Sequence, residues 1–140
     1  PAPPHRCQAA AWRRIPAVKE TDYAANLRSM IEKSKELGAK NTLLLTLCTP
    51  GNYARRAKSV AKHNQAMFFN GQGYLVNELP NIQAGKLHPE IVKTMQESYG
   101  TDLQQNSLFY VTSDGCHPNE LGHRLVTEKL AELITKSGML

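Results

Sequence analysis

Residues 42–47 read Thr-Leu-Leu-Leu-Thr-Leu, and this run restricts the fold more tightly than any other. Successive side chains of a strand point to opposite faces. Leucines occupy both sets of positions here, so neither face suits water. Such a strand belongs in a parallel sheet with helices over both faces. The preceding residues supply one helix. Thr21 or Asp22 can act as N-cap, because a side-chain oxygen accepts a first-turn N–H. Tyr23, Leu27, Met30, Ile31, Ser34 and Leu37 then recur at three- and four-residue steps. Gly38 stops the helix, and Thr49-Pro50-Gly51 ends the strand and turns the chain. Helix, glycine and buried strand in this order predict an α/β layer fold.

The rest of the chain extends that pattern. A second helix is predicted over residues 55–69, with Ala57, Val60, Ala61, Asn64, Met67 and Phe68 on one face. Asn70-Gly71-Gln72-Gly73 reads as a turn, and residues 74–79 as a second short strand. A helix is predicted over residues 89–99, ending at Gly100. Residues 108–111 are an edge strand or a packed loop. Pro118-Asn119-Glu120 starts a last helix to about residue 135, striped by Leu121, Leu125, Val126, Leu130, Leu133 and Ile134.

Charge narrows the function classes. The 140 residues carry 17 basic and 12 acidic side chains. Residues 1–19 hold Arg6, Arg13, Arg14 and Lys19 and no acid, so the remainder is nearly neutral. A nucleic-acid binder spreads its basic residues over a folded face or along a helix; nucleic acid is therefore not an expected partner. Residues 1–18, rich in proline and arginine, read as a leader outside the fold. A real arm packing Trp12 and Ile15 on the domain is the other reading. The first methionine is Met30, which predicts a processed chain or a fragment of a longer reading frame. Neither a membrane span nor the apolar core of a secretory signal is present in the sequence. Cys7, Cys48 and Cys116 are odd in number and widely spaced. They predict neither a disulfide framework nor a structural zinc site; reduced thiols are expected.

The chemistry concentrates in residues 113–123, on a loop before the last helix. Asp114 and His117 lie three apart, with Gly115 allowing a tight turn and Pro118 fixing the exit. Such a loop can place a carboxylate beside the imidazole. The acid would hold one ring nitrogen as a donor, leaving the other to take a proton from a nucleophile. Alone, Asp-x-x-His is equally an acid and a histidine near a helix start, one capping and one solvated. His123 reads as a helix-surface or packing residue, and Arg55, Arg56, Lys58 and Lys62 as a solvated helix face able to bind an anionic substrate group.

The full string Asp114-Gly-Cys-His-Pro-Asn-Glu-Leu-Gly-His123, followed by an amphipathic helix, resembles the last block of the SGNH (GDSL-type) hydrolases. Upstream, Asp22-Tyr-Ala-Ala-Asn-Leu27, Gly38-Ala39, the leucine strand and Thr49-Pro50 are similar to that family's order of elements. So are Lys62-His-Asn-Gln65 and Tyr74-Leu-Val-Asn77. The resemblance runs from residue 21 to residue 136, and the terminal block is its specific part. It implies a three-layer α/β/α, flavodoxin-like fold with a mostly parallel sheet, of which residues 19–140 form a C-terminal portion. It implies hydrolysis of acyl or acetylated-sugar esters by a Ser-His-Asp triad. Asp114 matches the orienting acid and His117 the general base. Cys48, Thr49 and Pro50, at the strand's carboxyl end, would line the same crevice. Neither a metal nor an organic cofactor is implied.

The family's Gly-Asp-Ser nucleophile block has no counterpart in the sequence, and no serine sits in a Gly-x-Ser-x-Gly elbow. A triad without its nucleophile and oxyanion hole loses nearly all of its rate. The chain alone is accordingly expected to be weakly active or inactive. Cys48 offers a thiol in place of the serine; the plainer reading is a small buried thiol. The alternative function is a non-catalytic α/β module of the same descent, acting in binding or assembly. Two or three strands make an incomplete sheet, which is expected to form a homo-oligomer through its open edge, to expose that edge, or to be completed by absent residues.

Overall fold

A computed structural model describes residues 18–139. The expectation that residues 1–18 form a leader, and the alternative of an arm packing Trp12 and Ile15 on the domain, lie outside the described residues except at Val18. The order of elements is α1 (Glu20–Glu36), β1 (Leu43–Thr46), α2 (Gly51–His63), β2 (Met67–Asn70), α3 (Gly71–Gln83), α4 (Pro89–Gln105) and α5 (Glu120–Lys136). A 3-10 turn at Ser107–Tyr110 precedes the site loop.

The class is mixed α/β. β1 and β2 pair in parallel, Leu43 opposite Met67 through Thr46 opposite Asn70, and α2 makes the crossover between them. Among the described residues the sheet has two strands. The leucine run is only partly covered. Thr46 is buried, while Leu45 is 38% exposed.

The first half assembles around α2, against which both α1 and the strands pack. Ile31, Ala57, Val60 and Ala61 are buried there. The α1 stripe is only partly used, because Met30 and Leu37 face solvent. Lys19, not Thr21 or Asp22, occupies the α1 cap position, with no side-chain cap bond. Glu20 instead reaches α2, accepting from Asn52 at 2.6 Å and Arg56 at 3.3 Å. Those two donors lower the Glu20 pKa.

Residues 64–79 depart most from expectation. The second helix stops at His63, and Met67 to Asn70 form β2. Gln65 takes a positive φ of 55°, which breaks the helix before its apolar stripe runs out. Asn70 then caps α3, its side chain accepting from Gly73 N at 2.9 Å. The expected turn and the expected strand at 74–79 are thus the first two turns of a helix. Leu75, Leu79 and Ile82 sit in its buried stripe. The helix at 89–99 breaks at Tyr99 (φ −132°, ψ 20°), next to Gly100, and resumes to Gln105.

The main core lies among α3, α4, the 3-10 turn and α5, where Ile82, Val111, Leu121 and Leu125 are essentially inaccessible. Each such side chain contributes about 1.5–3 kcal/mol by leaving water. This cluster anchors both ends of the loop at residues 112–119. Among the described residues no helix is long and apolar enough to cross a membrane.

Candidate active site

The loop at residues 112–119 is a closed turn held by its own polar groups. Thr112 and Pro118 form an antiparallel bridge. Ser113 N donates to His117 O at 2.9 Å, and Asn119 N to Val111 O at 3.0 Å. Thr112, buried at the loop's base, donates its hydroxyl to Leu108 O at 2.7 Å and accepts from Gly115 N at 3.1 Å. Gly115 has φ +83°, a conformation that a side chain makes costly.

Within this frame Asp114 serves two purposes. Its Oδ1 accepts from Cys116 N at 2.9 Å and His117 N at 2.7 Å, the local closure that aspartate offers in turns. Its Oδ2 lies 2.6 Å from His117 Nδ1. The imidazole bond, then the His117 backbone N–H, holds the Asp114 carboxyl at a pKa of about 2. The group is therefore ionised at neutral pH and only accepts hydrogen bonds. Nδ1 must then carry the hydrogen, which in the neutral ring makes Nε2 the basic nitrogen. Both side chains are about half exposed.

Asn119 locks the loop to α5. Its Nδ2 donates to Phe109 O at 3.1 Å and Tyr110 O at 3.2 Å. Its Oδ1 accepts from Gly122 N at 3.0 Å, capping the helix. Ser113 Oγ is committed to His117 O at 3.3 Å, and His123 is exposed on α5.

The cysteines correct the reading of reduced thiols. Cys48 and Cys116 are joined as a disulfide, with Cα atoms 5.0 Å apart and a sequence separation of 68. Cys48 follows β1 with φ +51°, so the exit of the strand turns sharply toward the site loop. Both sulfurs and a His117 ring nitrogen lie within 4.8 Å of one another. The β1 exit and the Asp114–His117 pair thus meet at one place. In the disulfide, however, Cys48 has no thiol with which to replace a serine. Sequence reasoning missed this pairing; no local spacing announces it. Thr49 Oγ1 turns back to Leu47 O at 3.0 Å, and Pro50 opens α2.

A cavity of about 520 Å³ lies on the flank of the loop. Ile91, Met95, Tyr99, Phe109 and Leu121 make its apolar wall, and Ser113 and Asn119 its rim. Cys48, Thr49, Pro50, Asp114 and His117 are not among its lining residues. Compared with protein-family models, curated proteins and solved structures, the chain matches none.

Proposed function

We propose that the chain carries the acid–base half of an SGNH-type ester hydrolase, with His117 as general base and Asp114 as the acid that orients it. The observation that supports this reading is the 2.6 Å pair between Asp114 Oδ2 and His117 Nδ1, set in the Asp-Gly-Cys-His-Pro-Asn block. In that chemistry a serine attacks the ester carbonyl while His117 takes the serine proton. The imidazolium returns it to the leaving alcohol, and water repeats the cycle on the acyl intermediate. Asp114 holds the ring in one orientation through both steps. The serine is not assigned to any residue here. The apolar wall beside Ser113 suits the acyl part of an ester.

Hydrolysis of p-nitrophenyl acetate tests the reading. The chain is expected to be slow, yet faster than an equal concentration of free imidazole. His117→Ala should remove the excess, and Asp114→Asn should reduce it several-fold. Equal rates for the chain, both variants and imidazole would overturn it. A second reading, a non-catalytic module for binding or assembly, is favoured by the two-stranded sheet with Leu45 at 38% exposure. That module would give those equal rates.

A further inference from the structure

The site loop holds more chemistry than proton transfer requires. Two sulfurs from distant parts of the chain converge on one imidazole. Cys48 comes from the β1 exit, and Cys116 and His117 from the loop, their ligand atoms all within 4.8 Å. A tetrahedral zinc-type ion takes thiolates at about 2.3 Å and imidazole at about 2.0–2.1 Å, which sets ligand atoms roughly 3.5–3.8 Å apart. The Cα separation of 5.0 Å permits that spacing once the sulfur–sulfur bond opens, with side-chain rotation alone. Metal-bound histidines commonly give their second ring nitrogen to a carboxylate, which fixes the ring. Asp114 Oδ2 lies 2.6 Å from His117 Nδ1, so Nε2 is the ring nitrogen to bind the metal and Asp114 the carboxylate to fix the ring.

We infer that, when the disulfide is reduced, Cys48, Cys116 and His117 form a three-ligand site for a divalent transition metal such as zinc. The disulfide and the metal are alternative occupants of one place. A dithiol reductant opens the bond: two electrons and two protons pass to the cysteine sulfurs while the reductant closes into its own disulfide. The metal ion then displaces both thiol protons and binds two thiolates and the imidazole. Three protein ligands leave one position for water or an exogenous ligand. A metal held here would also withdraw His117 from proton transfer. That consequence rests on the hydrolase reading, whereas metal binding itself does not.

Cobalt(II), a coloured probe for such sites, tests the inference on the full chain. After reduction by a dithiol and its removal without air, one equivalent of cobalt should produce a thiolate-to-cobalt charge-transfer band. The oxidised chain should show none. Cys48→Ser, Cys116→Ser and His117→Ala should each weaken binding at least about tenfold, and Asp114→Asn by about 10–100-fold. Cys7→Ser should leave the band unchanged. Circular dichroism on the same samples reports the fold. The inference is overturned by a reduced chain without the band, or by a cobalt affinity that Cys48→Ser, Cys116→Ser or His117→Ala leaves unchanged. A band lost with Cys7→Ser also overturns it, as does helix lost on reduction and not regained with cobalt.

Discussion

Gly122 sits in the first turn of α5, directly beneath the site loop. A Cβ placed there would lie 2.1 Å from Val111 O and 3.1 Å from Pro118 Cβ. The nearest atom is backbone, so no side-chain rotation relieves the clash. Overpacking of this kind costs about 1–3 kcal/mol, and occasionally more. Gly122→Ala is therefore expected to destabilise the chain by at least that amount in urea unfolding. Gly100→Ala is the contrast. Beyond its chain neighbours and its own helix, no atom lies within 4 Å of a Cβ at that position, so the same change should not destabilise α4 and should gain at most about 0.5–1 kcal/mol. A loss of similar size at both would refute the packing argument. The final block made Gly122 visible in the sequence, but only the path of Val111 shows what the glycine does. The Asp114–His117 pair was legible for the opposite reason. Its partners are three residues apart on one turn, so local geometry alone can join them. Cys48 and Cys116 are brought together by the fold, and their spacing carries no such signal.

α5 is the element that positions the site, and Asn119 joins the two. As a cap alone, asparagine is interchangeable with aspartate. Asn119 also donates to the carbonyls of Phe109 and Tyr110, which an aspartate cannot do and would repel. Asn119→Asp is thus expected to lose about 1–3 kcal/mol despite an intact cap, measured by thermal melting at neutral pH. A loss below about 0.5 kcal/mol would mean that the cap is the whole role. The start of α5 was readable, since Pro118-Asn119-Glu120 combines helix-start residues with an apolar stripe behind them. Residues 64–79 were not. Met67 and Phe68 continue the spacing of α2, and only the positive φ at Gln65 takes them off the helix into β2. Asn-Gly-Gln-Gly has turn composition, yet Gly71 opens a helix capped by Asn70, and the position keeps glycine because a Cβ there would meet Leu47 Cδ2 at 2.7 Å. Short apolar runs fit either period, and tertiary contacts decide between them.

The molecule has two apolar centres, one around α2 and one among α3, α4 and α5. The Cys48–Cys116 bond ties the strand exit of the first to the site loop of the second. A crosslink spanning 68 residues restricts the unfolded chain far more than the folded one. In the chain-entropy account a loop of that length is worth about 4 kcal/mol. Equilibrium unfolding in urea with and without a dithiol should show that difference as a lower midpoint for the reduced chain. The Cys48→Ser/Cys116→Ser double variant should coincide with the reduced wild type, which separates loss of the bond from any effect of the reductant. Unfolding free energies agreeing to within about 0.5 kcal/mol would show that the bond does not constrain the fold. The same measurement connects to the metal site. A ligand that binds only the folded state at a hundredfold its Kd returns about 2.7 kcal/mol. Cobalt should therefore restore much of the stability lost on reduction in the wild type and none in the double variant. Two centres coupled by the same pair of sulfurs, through a covalent bond or through a metal, would then respond alike to either occupant.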